Sequence, residues 1–161
     1  MPSSPALQCL AAVQADPITP RVELDEGEVL VVYDDATSKP IVPGTHVIGN
    51  PTIGVGTLLC TPGGITHAES LMLLANRVAI ARKQAGSIPV FQKLNDARQG
   101  VIVEMVFQLG LAGVLKFEHT LDALAAGNFA AAAQGIRASH LAQQTPARAE
   151  RYAKIIETGK A

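Results

Sequence analysis

The sequence predicts an α+β fold, with a small β-rich N-terminal lobe and a larger helical C-terminal lobe joined by one long helix. Three observations carry this reading. Leu24–Gly56 holds two short β-branched runs separated by a stretch rich in proline and glycine, the pattern of strands around a long connection. Thr66–Ala85 keeps apolar residues at helical spacing behind a capping signal. From Gly86 onward the chain reads as helices punctuated by Gly, Pro and Asn. Residues 1–19 stand apart as an N-terminal arm or extra helix, and 20–161 form the main domain. Within it the β-rich lobe covers about 20–65, the connecting helix about 66–85 and the helical lobe about 86–161.

Composition narrows the function classes. At 161 residues, 48% apolar and 17% charged, the chain is long enough for a single core and too apolar to be disordered. A net charge of −1 and a pI near 6.4, with 13 scattered basic residues, exclude charge-driven binding to a polyanion. With no Trp and few other aromatics for base stacking, no nucleic-acid partner is expected. Cys9 and Cys60 are too few for a disulfide framework or zinc site, and the four histidines lack ligand spacing. No metal or cofactor is therefore expected. Met1–Ala15 is uncharged, but its apolar part is short and interrupted by Gln8. It is too short to span a bilayer in the ordinary way and lacks the basic start of a secretory signal, so no stable membrane insertion is expected.

Along the chain, Thr19-Pro20 starts a helix that runs from Arg21 to about Glu26 and stops at Gly27. Glu26 thus falls in the last turn, where the helix dipole disfavours its ionised form. Val29–Tyr33 is a strand, Asp34-Asp35 begin a turn, and Ala36–Asn50 is a long hairpin connection. Thr52–Gly56 returns as a second strand, after which Leu58-Leu59 leave the sheet. Thr66-His67-Ala68-Glu69 has capping-box spacing, and Leu71, Leu74, Ala75, Val78, Ala79 and Arg82 mark one face of the helix behind it. Gly100–Leu115 is a buried central helix with Gly110 and Gly113 as breaks. Leu121–Ala125 continues helically to Gly127-Asn128, Phe129–Leu141 is one alanine-rich helix, and Thr145-Pro146 opens the last helix, Ala147–Thr158.

A carboxyl at a helix end opposite a carboxyl at a strand end suits glycoside hydrolysis, which needs one group to protonate the leaving oxygen and another to handle water. Glu26 fits the first role. Asp35 fits the second, with Asp34 beside it as the alternative.

The residues Asp25-Glu26-Gly27, Tyr33, Asp35 and Thr52-Ile53-Gly54-Val55-Gly56 resemble the catalytic motif of the T-even phage lysozyme type, glycoside hydrolase family 24. The likeness continues through Val103–Gly110 and Gln144–Ala149 and covers roughly Pro20 to Gly159. It implies a lysozyme-like two-lobed fold and a muramidase that cleaves the bond between N-acetylmuramic acid and N-acetylglucosamine in bacterial peptidoglycan. It implies an inverting route in which Glu26 is the acid, Asp35 accepts a proton from water and Thr52 orients that water. Arg148 holds Glu26 from the last helix by the same resemblance. Gln108 is a sugar-binding residue, and Glu104, standing where the pattern has Asn, adds a third carboxyl to the substrate wall. Thr57 stands where the pattern has His, and Leu141-Ala142 where it has an aromatic pair. Asp35 and Thr52 are 17 positions apart, a longer separation than the family pattern, so an insertion must loop out between them.

The implied protein is a monomer acting on peptidoglycan. It works from the host bacterial cytoplasm towards the periplasm and wall, or as part of a virion. A lytic transglycosylase, and a non-catalytic wall-binding or structural virion protein, are the competing readings.

Overall fold

The computed structural model describes residues 19–60 and 63–161. The 1–18 segment, with Cys9 and most of the expected arm, lies outside the described residues. So do the side chains of Pro20, Arg21, Glu23 and Glu26. The chain divides into two compact units between Ala75 and Asn76, and each is described by itself.

The first unit opens with helix α1, Thr19–Glu26, which takes in the Thr19-Pro20 pair expected to start it. Strand β1 (Val29–Asp34) follows, then β2 (Lys39–Pro40), β3 (Pro51–Gly54) and β4 (Thr57–Leu58). They form one antiparallel sheet in the order β2-β1-β3-β4. Pro40 sits on the edge strand, the place in a sheet where a missing N–H is tolerated. Tyr33 lies opposite both Pro40 and Thr52, and the β1–β3 register shifts between Val29 and Tyr33, an irregularity of the bulge kind. Two expectations are corrected here. The long connection carries β2, and Thr57-Leu58 stay in the sheet: Leu58 lies opposite Thr52 and Thr57 opposite Ile53. Such a two-residue strand has no periodicity of its own and exists through its partner's hydrogen bonds.

Helix α2 (His67–Ala85) starts on the predicted capping box. The Thr66 N–H donates to Glu69 Oε2 at 2.6 Å, and the Glu69 N–H donates back to Thr66 Oγ1 at 3.3 Å. Its expected apolar face is not buried: Leu71, Leu74, Ala75, Ala79 and Arg82 are exposed and Val78 is half-buried, while the buried residues are Ala81 and Ala85. The period marks a face, but the helix meets a core only through two small residues near its C-terminal end.

The second unit has that core. A 3-10 turn, Phe91–Lys93, leads into α3 (Asp96–Leu115), capped by the Asn95 side chain. It buries Val101, Ile102, Val103, Met105, Val106 and Val114. At Gly110 φ is 71° and ψ 163°, so the helix kinks at a backbone conformation open only to glycine. Three further helices follow: α4 (Glu118–Ala125), α5 (Phe129–Arg137) and α6 (His140–Gln144). The expected single helix Phe129–Leu141 is therefore two, parted at Ala138-Ser139. The alanine run hides the break, since alanine favours helix wherever the chain allows it. The last helix, α7 (Pro146–Thr158), has Pro at its start and Gly159 at its end. Helix α5 packs on α4 and α7, bringing Ala132, Ala133 and Ile136 together with Ala149, Tyr152, Ala153 and Ile156 in the buried cluster. Arg98 ties α3 to α7, its Nε donating to the Ile156 carbonyl at 2.7 Å while its guanidinium lies 3.5 Å over the Phe129 ring.

Candidate active site

The end of β1 carries two carboxylates with different surroundings. Asp34 is only 2% exposed, and a buried carboxylate must find donors. It accepts the backbone N–H groups of Ala36 at 3.0 Å, Ile48 at 2.7 Å and Gly49 at 2.9 Å. These bonds, Ile48 first, hold its pKa below the ordinary carboxylate value. Asp34 thus fastens both ends of the inserted segment, and its lone pairs are occupied by the backbone. Of the two candidates for a water-handling carboxylate, Asp35 is the solvent-exposed one.

Asp35 is organised by Asn50. The Asn50 N–H donates to Asp35 Oδ1 at 2.7 Å, and Asn50 Nδ2 donates to Oδ2 at 3.1 Å. The Asp35 N–H in turn donates to the Asn50 carbonyl at 3.1 Å. The backbone and side-chain bonds from Asn50 lower the Asp35 pKa, against opposition from burial and the neighbouring Asp34 charge. Gly49 lets the chain pass this close, since a Cβ there would run into the Asp35 carboxylate and Ala36.

Thr52 joins the same node. It is 4% exposed in the middle of the sheet, and its hydroxyl donates to the Asn50 carbonyl at 3.2 Å. With its proton so placed, the Thr52 oxygen is left as an acceptor. The Cys60 thiol donates to Asn50 Oδ1 at 3.4 Å. Asp35 and Thr52 are therefore brought together across their long sequence separation, through a residue that sequence reading passed over. Asn50 looks like one more polar loop residue. The available signal was its place before Pro51 at the end of the insertion, where the return chain must meet the two aspartates.

Glu26 is the last residue of α1, before Gly27 at φ 70°; its side chain lies outside the described residues. Arg148, Glu104 and Gln108 belong to the second unit. Arg148 is exposed in the first turn of α7. Glu104, on α3, accepts from Arg151 Nη2 at 2.6 Å. Burial, and after it the Glu104 charge, raises the pKa of the buried Tyr152 hydroxyl. Gln108 is half-buried on α3, and its Oε1 is buried without a hydrogen-bond partner among the described residues. Next to it in sequence, Leu109 lines a pocket of about 550 Å³ with Phe117, Thr120 and Leu141, its rim carrying His119 and His140. Among the described residues no cluster of three His, Cys, Asp or Glu is placed to hold a metal ion.

No protein-family model matches the chain. Over 152 residues, 84% of its length, the chain is 34% identical to the pre-baseplate central spike protein Gp5 of Enterobacteria phage T4, of which it spans 26%. It spans nearly the full length of two relatives in Dictyostelium discoideum. Probable T4-type lysozyme 1 is 28% identical over 156 residues, 86% of this chain and 92% of the relative. Probable T4-type lysozyme 2 is 28% identical over 167 residues, with the same coverage. Together with the small antiparallel sheet and the helical remainder, these likenesses fit an α+β lysozyme-like fold, and over most of its length the chain is similar to T4-type lysozymes.

Proposed function

We propose that the protein is a muramidase that hydrolyses the β-1,4 bond between N-acetylmuramic acid and N-acetylglucosamine in peptidoglycan. The observation that carries this reading is the gathering of Asp35 and Thr52 on Asn50, in the segment that follows the helix ending at Glu26. In the reaction, Glu26 protonates the leaving glycosidic oxygen, with Arg148 the residue proposed to support it. A water attacks the anomeric carbon from the opposite face, inverting it. Asp35, kept ionised by the Asn50 donors, accepts a hydrogen bond from that water, and the free acceptor side of Thr52 takes the other. A carboxylate with a lowered pKa is a weak base. Asp35 therefore orients the water first and takes its proton only as the new C–O bond forms.

On the helical side, Gln108 and Glu104 are the sugar-binding candidates. The likeness to a phage spike protein and to lysozymes supports a site of action at the bacterial wall, as a virion component or a lysis enzyme.

Glu26→Gln is expected to abolish clearing of permeabilised Gram-negative cells while leaving the far-UV CD spectrum and melting temperature in place. Retained clearing would overturn the assignment. Mass spectrometry of wall digests is expected to show reducing ends; 1,6-anhydro ends would identify a lytic transglycosylase. Wall binding without release of fragments would identify a non-catalytic binding protein.

A further inference from the structure

We infer that Asn50 is a positioning residue of the active site, acting through Asp35 and Thr52, with the Cys60 thiol fixing the orientation of its side-chain amide. The inference rests on the muramidase reading for its functional meaning and on geometry for its structural part.

All of the polar groups of Asn50 are engaged. Its N–H and Nδ2 reach the two oxygens of Asp35 separately, at 2.7 and 3.1 Å, a fork that fixes the plane of the carboxylate as well as its position. Its carbonyl receives the Asp35 N–H and the Thr52 hydroxyl, at 3.1 and 3.2 Å. Its Oδ1 receives the Cys60 thiol at 3.4 Å. The last contact has a directional consequence. A thiol donor on Oδ1 requires the amide to point its nitrogen the other way, at Asp35, so the short strand β4 and the chain leaving it select the useful amide orientation. A carboxylate fixed in plane and a hydroxyl fixed in rotation present two acceptors of constant geometry to one water. The energy of ordering is then met in folding and not during the reaction. A plain loop asparagine would need none of these partners, since turns close on backbone bonds alone.

Asn50→Ala keeps the three bonds made by the Asn50 backbone groups and removes only the amide. With soluble muropeptide as substrate, kcat is expected to fall about tenfold, the scale of one hydrogen bond to a charged group, with KM little changed. The Asp35 carboxyl carbon, followed by NMR in the free protein, is expected to titrate at higher pH than in wild type, and the acid limb of the kcat–pH profile to move with it. Asn50→Asp keeps the shape, replaces the donor by a like charge and is expected to move the titration further in the same direction. It also carries the test if the alanine variant fails to fold. Cys60→Ala is expected to shift kcat in the direction of Asn50→Ala. A folded Asn50 variant with unmoved Asp35 titration and unmoved kcat would overturn the inference. The titration needs no turnover. An inactive wild type would therefore defeat the muramidase reading alone, while an unmoved titration would defeat the role of Asn50.

Discussion

The carboxylate of Asp34 closes the base of the inserted segment through three backbone donors, whereas Asp35 faces solvent with Asn50 beneath it. Both pKa values lie below the ordinary carboxylate value for the same reason, donors that favour the ionised form. A group whose folded pKa is depressed adds stability that is complete above its unfolded pKa and is lost as pH falls through the folded value. Melting temperature is therefore expected to hold near neutral pH and to drop steadily as pH falls below the ordinary carboxylate value. Asp34→Asn should flatten part of that drop, because it removes the titrating anchor, and should also melt lower at neutral pH. Differential scanning fluorimetry across the pH series checks both. At this scale Glu26, Asp35 and Thr52 were candidates from sequence because a motif marks them. Asn50 was silent because its importance lies in hydrogen bonds with Asp35 and Cys60, distant in sequence, and residue type says nothing about where such bonds end.

Among the elements, those with local chemical signals were legible. The capping box at Thr66-Glu69, proline at the start of α7 and glycine after α1 each act within one turn of their own position, so the sequence displays them directly. Those defined by a partner were not. Strand β4 is two residues supported by β3, and the exposure of Leu71 and Leu74 depends on what lies over α2 and not on the period that names its face. The break between α5 and α6 falls in an alanine-rich run whose propensity argues against any break. The kink in α3 was signalled by Gly110, though the sense of the bend was not. Because φ there is positive with an extended ψ, Gly110→Ala is expected to destabilise the protein by about 1–3 kcal/mol, and Gly100→Ala, at an ordinary helical position with open space beside it, to have little effect or to stabilise slightly. Urea unfolding of the pair measures the contrast.

For the molecule as a whole, stability concentrates in the second unit, where the described apolar core lies. Ile136 is fully buried between α4 and α7, and Ile136→Ala is expected to cost about 2–5 kcal/mol in equilibrium unfolding, a transfer loss plus the cavity left behind. The ion pairs of Arg137 with Glu150 and Glu157 lie on the surface, where solvent screens them, so Glu150→Ala should melt close to wild type. The α+β class was readable at this scale because it depends on the order of strand-like and helix-like periods. The chemistry of the first unit was readable only through the spacing of a motif, and that spacing is interrupted here.

The interruption itself has a use. Asp34 and Asn50 clasp the inserted segment at its base, leaving the stretch from Val42 to His46 exposed beyond the edge strand β2. Its length is thereby uncoupled from the position of Thr52, and lengthening such a closed loop is cheap, about 0.6 kcal/mol for each doubling. The segment is a natural splice point: a place where the chain could exchange one hairpin for another, by evolution or by design, while Asp35 and Thr52 stay where they are.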